Sequence, residues 1–518
     1  MKQVKIFLYL FSSVVLMGSC KKDFLTLYPE GNLNEGNFYK STLDFQQAVN
    51  GAYVPLRDIA NNAYWMDEMR SDNAHYDYNQ KDRGNATTEN LVDFLDQANN
   101  VITQNRYQAA YNGISRTNVI LDRLAAITFA MSDADKKQIT GEAKALRGHY
   151  YFDLVRNFGG VPLHLHEVKN PSDAFVERSS AEQVYAQIIA DLTEAAGLLA
   201  APTFAAAQTG RVTKGSVTTE LAAVYMQRKE YNKAIPLLQS VTQMGYALMP
   251  NFRDVFNPAN KNGNKEIIWD VQFQSGTTGQ QSNFIYRFTP VTTNTLNILG
   301  VSFNNTIGGW NVPTESLINT YEAGDTRFDA TIGVIEGTLD ANTNFTPTRV
   351  VSAVGYTQPA GVVAKYFARK FYYPPYPNLN QNTDQNWPLY RYSDVLLLLA
   401  EALNETGKST EALTYLNQVR TRAFGAGNGQ ITTVDQAALR TIIADERRRE
   451  LAFENKRWQD LIRTGQAIQV MTAYGTALKL KYPYLLPQSY NVTQDRLLYP
   501  IPLREIQLNA KLTQNPGY

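Results

Sequence analysis

The sequence has a single cysteine and four histidines in 518 residues. One thiol cannot form a disulfide within the chain, nor a cysteine-based metal site. The 49 basic and 48 acidic residues nearly cancel, so charge gives no indication of a nucleic-acid partner. Long apolar runs are also missing after the N-terminus: the run from Val395 to Ala400 is bounded by Asp394 and Glu401, whereas a membrane-spanning helix needs roughly twenty residues.

The only cysteine, Cys20, directly follows a short apolar run. Two lysines precede an uncharged, mostly apolar stretch from Ile6 to Met17, an order typical of an export signal. Small residues then lead to the cysteine, and the stretch resembles the bacterial lipoprotein box, although Met17 stands where leucine is commonest. We predict that residues 1–19 are a removed signal peptide and that acylated Cys20 anchors the chain to a membrane. An ordinary secreted protein is the alternative.

The composition predicts a large folded body. Hydrophobic residues make up 44% of the chain and aromatic residues 11%, including 31 tyrosines, which argues against disorder. A tyrosine ring offers flat apolar contact with a polar tip. This property suits hydroxyl-rich ligands and also ordinary packing, and composition alone does not separate the two.

Apolar residues at helical spacing predict that helices dominate. One stripe, Leu146, Tyr150, Leu154 and Phe158, ends at a glycine pair, which is a helix stop signal. Two further stripes are Ile114, Asn118, Leu121, Leu124 and Val184, Ile188, Leu192, Ala195, Leu199.

Two helix–turn–helix units resemble each other. They read "LAAVYMQRKEYNKAIPLLQSV" from Leu221 and "LLAEALNETGKSTEALTYLNQV" from Leu398. In each, an alanine of the first helix precedes an alanine of the second by twelve residues, a pattern typical of tetratricopeptide-type repeats. The equivalent positions Ala222 and Ala400 are 178 residues apart, so we predict an interrupted helical scaffold rather than a contiguous solenoid.

The segment between the two helix–turn–helix units has a different sequence pattern. "KEIIWDVQF" and "VVAKYFARKFYY" read as strands, and long polar stretches such as "FNNTIGGWN" lie between them. Loops of this length in a compact body are usually functional. We therefore predict a helical scaffold over about 40–250 and 389–518, and a loop-rich ligand-binding insert over about 250–388.

A search for catalytic or metal-binding motifs finds none that is convincing. "NETGKST" lacks the first glycine of a phosphate-binding loop, and "GAGNGQ" follows a helix and reads as a helix C-cap. "HLHE" reads as a short strand with His164 and His166 on one face, but two ligands without a third favour surface histidines. Paired carboxylates remain open among so many acidic residues. We predict no cofactor, no metal and no enzymatic activity.

The stretch "DERRRELAFENKRWQDLIRTG" is the densest charge run. An arginine cluster for anionic ligands is one interpretation. An ion-paired helix that docks through Phe453 and Trp458 is the other, and the interleaved opposite charges favour it.

Several of these stretches resemble one family, the SusD/RagB nutrient-binding lipoproteins of the Bacteroidetes outer membrane. The resemblance covers essentially the whole chain. Its motifs, in order, are "SCKKDFL", "NGAY", "AKALRGHYYFDLVRNFGGVPL", "RYSDVLLLLAEALNE", "ERRRELAFENKRWQDLIR" and "YPIPLREIQLNAKLTQNPGY".

The resemblance implies a mainly α, SusD-like fold, in which four tetratricopeptide-like helix pairs support an irregular, loop-rich ligand-binding half with a few short strands. It also implies a surface-exposed outer-membrane location and a SusC-like TonB-dependent transporter as partner. The expected ligand is a nutrient glycan that stacks on aromatic side chains.

The resemblance also suggests site residues. "GGWNVPT" resembles the loop ahead of a family helix, which makes Trp310 the first choice for a stacking platform, with Asn304 and Asn305 as hydroxyl-binding groups. A loop anchor packed on the scaffold is the alternative for Trp310. Further candidates are Tyr76, Tyr78, Arg83 and Tyr286. Trp387 and Trp458 lie in scaffold motifs and are assigned to packing.

The favoured function is therefore non-catalytic capture of a glycan for uptake. A peptide ligand in the same uptake role is the main alternative. A lipid-anchored glycosidase is a weaker one, since it needs a close carboxylate pair in the insert.

Overall fold

A computed structural model describes residues 38–78 and 86–518. Helices dominate this part of the chain, which confirms the mainly α class. None of the described helices is both long and apolar enough to cross a bilayer. Cys20, the predicted lipid anchor, and Arg83 lie outside the described residues.

The helices fall into three groups along the chain. The first group is α1 (Thr42–Tyr53), α2 (Pro55–Ala63), α3 (Ala86–Val92), α4 (Val101–Ala125), α5 (Asp133–Phe158), α6 (Ala181–Leu198), α7 (Lys214–Gln227) and α8 (Tyr231–Thr242). The second is α9 (Phe284–Phe288), α10 (Leu296–Leu299), α11 (Glu315–Ile318) and α12 (Arg327–Thr331). The third is α13 (Tyr392–Glu405), α14 (Ser409–Phe424), α15 (Gln436–Glu450), α16 (Arg457–Thr464), α17 (Ala467–Lys481) and α18 (Leu503–Leu508). A π-helical turn, Tyr64–Glu68, follows α2.

Local sequence explains the bounds and the close packing of the long helices α4 and α5. The hydroxyl of Ser132 accepts the backbone N–H of Asp135 and caps the start of α5, and Gly159 ends the helix with a φ of 73°. Where α4 crosses α5, a Cβ on Gly113 would lie only 2.1 Å from the Tyr150 ring. Only glycine allows the two helices to approach this closely.

The helices before and after the predicted insert pack against each other in the fold. Consecutive helices from α4 to α8 pack on one another, and α13 then packs against both α8 and α14. The two similar helix pairs, α7–α8 and α13–α14, are therefore neighbours. Because α13 has partners on several sides, it is buried from Tyr392 to Asn404, which explains its run of leucines.

The strands form three small antiparallel sheets. They are β1 (Ala74–His75) with β3 (Val312–Pro313), β2 (Ile267–Val271) with β7 (Trp387–Arg391), and β4 (Ile332–Leu339) between β5 (Phe345–Ser352) and β6 (Val363–Ala368). The two predicted strands are confirmed as β2 and β6, although β6 ends at Ala368 and a 3₁₀ turn follows. The β4–β5 hairpin was not predicted.

The predicted strand in "HLHE" is wrong. The backbone N–H of His164 donates to the Tyr151 hydroxyl at 2.7 Å, and its carbonyl accepts from the Asn118 amide at 2.7 Å. Side chains of α4 and α5 therefore take the bonds that a neighbouring strand would need. His166 is exposed and contacts Asp122.

The charge-rich helix α15 is ion-paired, which confirms the favoured interpretation of the charge run. Arg391, at the end of β7, lies 2.5 Å from Glu266, 3.0 Å from Glu450 and 2.7 Å from Glu454. All four side chains are buried. Phe453, Trp458 and Trp387 are buried as well, as predicted.

A second arginine extends this network into the middle of the chain. Arg327 of α12 lies 2.7 Å from Glu446 and 3.0 Å from Glu450, and both pairs are fully buried. Arg422 of α14 approaches the other oxygen of Glu450 at 2.5 Å. Glu446 and Glu450 of α15 thus join segments that are far apart in sequence.

Removing one cation from this network is expected to destabilise the whole fold. Arg391→Met leaves three buried carboxylates without their shared partner, and we expect a loss of about 3–5 kcal/mol in the free energy of unfolding. Urea unfolding followed by circular dichroism measures it. Arg440→Met is the matched control, because Arg440 pairs with Glu405 at the surface and its loss should cost less than about 1 kcal/mol. Equal effects of the two substitutions would contradict this account.

The same network predicts how stability depends on pH. Burial alone would raise the pKa of Glu446, but the guanidinium groups of Arg327, Arg449 and Arg420 lower it to about 2. The folded state therefore holds this proton less tightly than the unfolded chain does. The stabilisation is present above pH 4.5 and is lost as pH falls towards 2, about 3 kcal/mol in all.

Glu446→Gln tests this dependence. The variant should be less stable at neutral pH, and its free energy of unfolding should fall less steeply than that of the wild type between pH 4.5 and 2. Urea midpoints measured across this range give the comparison, and parallel curves for the two proteins would exclude Glu446 as a source of the acid sensitivity.

Candidate functional site

Trp310 lies under the surface and not on it. Only 5% of the residue is exposed, and its ring contacts Trp65 edge-on and Tyr76 at a tilt, each at a centroid distance of 6.1 Å. Its backbone N–H donates to the carbonyl of Arg287 at 3.0 Å, and β3 begins two residues later. The ring has no free face for a sugar, so the prediction of a direct stacking platform is corrected. The alternative, a packed loop anchor, fits the structure.

Asn305 and Tyr286 are brought together in the interior. The Asn305 amide donates to the carbonyls of Tyr286 at 2.8 Å and Pro290 at 3.0 Å. Both residues are fully buried, so this geometry gives them a role in holding the loop. Asn304 points outward and is exposed, and its role in binding hydroxyl groups stays a prediction.

A cleft of about 540 Å³ opens beside this packed layer. Its walls come from five segments, which are 75–77 at the end of β1, 288–290 at the end of α9, 309–319 around β3 and α11, 364–366 in β6, and 474–482 at the end of α17. The middle region and the C-terminal helices therefore build the cleft together. Its aromatic lining is Tyr76, Phe288, Tyr366, Tyr474 and Tyr482.

One predicted tyrosine lines this cleft, and a second is connected to it through stacked rings. Tyr76 lines it and donates its hydroxyl to Asp93 at 2.9 Å, which leaves only 5% of the residue exposed. Tyr78 is half-buried and stacks on Tyr484 with parallel rings 3.7 Å apart. Tyr484 in turn stacks on Tyr482 at 5.4 Å. A continuous aromatic surface thus connects the loop after β1 with the segment after α17.

A buried histidine supports this aromatic surface. His75 lies between the hydroxyls of Tyr484 and Tyr490, at 3.2 Å and 3.3 Å from its two ring nitrogens. Its ring also stacks on Tyr482. Burial lowers the pKa of His75 to about 3, so the imidazole is neutral at physiological pH. It serves as an uncharged spacer between the hydroxyls.

Arg448 fastens the cleft to the ion-paired helix α15. Its guanidinium donates to the side chain of Asn73 at 2.8 Å, to the carbonyl of Asp72 at 2.9 Å and to the hydroxyl of Ser316 at 3.0 Å. Asp72 and Asn73 precede β1, and Ser316 lines the cleft in α11. The hydroxyl of Thr314 also donates to the Asp72 carbonyl, at 2.6 Å. One buried side chain therefore sets the distance between two walls.

The sequence reasoning missed Tyr482, Tyr484, Tyr366 and Tyr474. The first two stand in "KYPYLLP", directly after a helix that was assigned entirely to the scaffold. Two tyrosines on either side of a proline, in a segment that connects two elements, were visible in the sequence and could have been proposed as a ligand surface. Tyr366 belongs to a segment that was already predicted as a strand, but nothing in the sequence shows which face it occupies.

Among residues 38–78 and 86–518, no group of three or more metal-ligand side chains is close enough to hold an ion. The charged residues at the cleft are instead two lysines and two carboxylates. Together with the tyrosines, they form an aromatic surface with charged groups beside it, which can stack on an apolar face and exchange hydrogen bonds at its rim.

Family models cover most of the chain. The model of the SusD family matches residues 265–518, and a SusD-like model described as "Starch-binding associating with outer membrane" matches residues 23–226. The first match contains α13 to α18 and most of the strands, and the second contains α1 to α6 and most of α7.

Individual relatives agree with these models. SusD-like protein P38 of Formosa agariphila is 28% identical over 554 aligned residues, covering 100% of this chain and 99% of that protein. A solved structure named as a laminarin binding SusD-like protein is 27% identical with a TM-score of 0.74, and the match covers 93% of this chain and 100% of that one. A SusD homolog from Bacteroides thetaiotaomicron has the same fold, with a TM-score of 0.76 at 24% identity over 95% of this chain and 100% of that one. The chain belongs to the SusD (SusD/RagB) family.

Proposed function

We propose that the cleft binds a glycan, an oligo- or polysaccharide, by stacking sugar rings on its tyrosines. The observation that carries this proposal is the convergence of Tyr366 and Tyr482, from distant segments, on one cleft of about 540 Å³. A pyranose has an apolar C–H face that packs on an aromatic plate, while hydroxyls at its edge meet polar groups. The starch-binding description of one family model and the laminarin-binding relative support this ligand class.

The proposed role is nutrient capture at the outer membrane. Acylated Cys20 holds the protein at the cell surface, and a SusC-like TonB-dependent transporter receives the bound glycan. The description of one family model as associating with the outer membrane supports the location. A Cys20→Ser variant is expected to leave the outer-membrane fraction on cell fractionation, while the wild type stays in it.

Binding without turnover follows from the family. Where the family description or the laminarin-binding relative states an activity, that activity is binding, so the chain is a binding protein and not an enzyme. The glycosidase alternative requires product release from a bound glycan. The peptide alternative requires saturable binding of peptides in place of sugars, and both are read out in the titration described next.

The stacking proposal predicts which side chains carry affinity. Calorimetric titration of the protein from residue 21 onward, against laminarin, starch and a peptide digest, first identifies the ligand. Tyr482→Ala and Tyr366→Ala should then each weaken binding about tenfold, equivalent to about 1.4 kcal/mol, because each removes an aromatic plate.

Two further variants serve as controls. Tyr482→Phe keeps the ring and should retain most of the affinity. Tyr415→Ala removes a tyrosine of the same half-buried class from α14, outside the cleft, and should leave affinity unchanged. Unchanged binding in both cleft variants would move the site elsewhere, and saturable binding of peptides alone would replace the glycan with a peptide ligand.

A further inference from the structure

The described cleft has four charged side chains in its lining, and they form two ion pairs. Lys365 of β6 contacts Asp77, and Lys481 at the end of α17 lies 2.5 Å from Glu315 of α11. Each pair joins two walls of the cleft. The two lysines and two carboxylates cancel, and His75 is neutral, so this lining carries no net charge.

Both pairs remain accessible from the cleft. The side chains of Lys365 and Asp77 are 25% and 37% exposed, and those of Lys481 and Glu315 are 46% and 73% exposed. A ligand can therefore reach the ammonium groups, but an anionic ligand meets a carboxylate beside each of them. Taking over either lysine leaves Asp77 or Glu315 unpaired next to the ligand's own negative charge. The repulsion offsets the attraction that the lysine offers.

Resting on the proposed function, we propose that the cleft selects uncharged glycans, and that Asp77 and Glu315 enforce this selectivity by neutralising the two lysines. An uncharged sugar leaves both pairs intact and uses the lysines and carboxylates as hydrogen-bond partners for its hydroxyls. A polyuronate or a sulfated glycan gains no electrostatic attraction from the lining. The same pairs hold the walls together, so selectivity and cleft shape have one origin.

The test measures binding of uncharged and anionic polysaccharides to the full protein from residue 21 onward. Laminarin, starch and xylan are the uncharged probes, and polygalacturonate and alginate are the anionic ones. The wild type should bind one of the uncharged probes and bind both anionic probes at least about tenfold more weakly. The double variant Asp77→Asn/Glu315→Gln leaves two lysines uncompensated and should gain about tenfold or more in affinity for polygalacturonate, an effect that added salt abolishes. Affinity for the uncharged probe should fall, because the substitutions weaken both contacts between the walls, so the ratio of the two affinities measures the change in selectivity.

A matched control removes a carboxylate elsewhere. Glu405→Gln releases Arg440 from its surface pair on the helical scaffold, and it should gain nothing for polygalacturonate at the same net charge change per substitution. A gain equal to half that of the double variant would show a nonspecific charge effect and overturn the proposal.

The remaining outcomes separate this inference from the proposed function. If the wild type binds an anionic glycan as tightly as any uncharged one, the selectivity is overturned and glycan binding stands. If the double variant still binds laminarin or starch but gains no anion affinity, the two pairs do not set the ligand class. If neither class of glycan binds while peptides do, the proposed function fails and this inference falls with it.

Discussion

The buried pairing of arginines with the carboxylates of α15 is the constraint on which the rest of the structure depends. Glu450 alone faces Arg391, Arg327 and Arg422, which come from three different segments. A buried charge without a partner is costly. The carboxylate of Glu450 is therefore fully paired only when all three segments pack against α15. Hydrophobic packing builds the stacked helices from α4 to α8, but packing has no comparable requirement for one specific partner. The ion pairs therefore specify how the irregular middle of the chain sits on the helical scaffold.

The last turn of α15, which carries Glu450, also carries the arginine that contacts the walls of the cleft. Arg448, two residues before Glu450 in α15, binds the backbone before β1 and the side chain of Ser316. These two walls of the cleft are thus held in place by the packed helix α15 and not only by the loops themselves. Binding surfaces held in this way need less ordering when a ligand arrives, which preserves affinity. Beneath the walls, the loops are rich in polar residues. Trp310 packs against other aromatic rings there, and the Asn305 amide donates hydrogen bonds to backbone carbonyls of the loop.

The sequence predicted the elements that depend on neighbouring residues, such as helices. It did not predict features that depend on contacts between residues far apart in the chain. Helical spacing, one glycine stop and the repeated helix pair placed α4 to α8, and interleaved charges correctly indicated an ion-paired α15. The neighbouring positions of α8 and α13 were invisible, because contact between elements so far apart leaves no periodic signal. The same limit explains the site: Trp310 reads as an exposed loop aromatic until the β1–β3 pairing draws it under Tyr76. Tyr482 was overlooked because its role depends on β6 and α11, which meet it only in the fold.

The most direct test of this account compares two adjacent arginines of α15. Arg448 and Arg447 are both buried, but among the described residues the ion pairs of Arg447 are with Asp394 and Asp460 of the scaffold, at 2.8 Å and 3.1 Å. Affinity for the glycan identified by titration is measured for Arg448→Met and Arg447→Met, at a temperature where circular dichroism shows both to be folded. The account predicts at least about tenfold weaker binding for Arg448→Met, partial recovery in Arg448→Lys, and wild-type affinity for Arg447→Met despite its lower stability. Wild-type affinity in a folded Arg448→Met protein would contradict it.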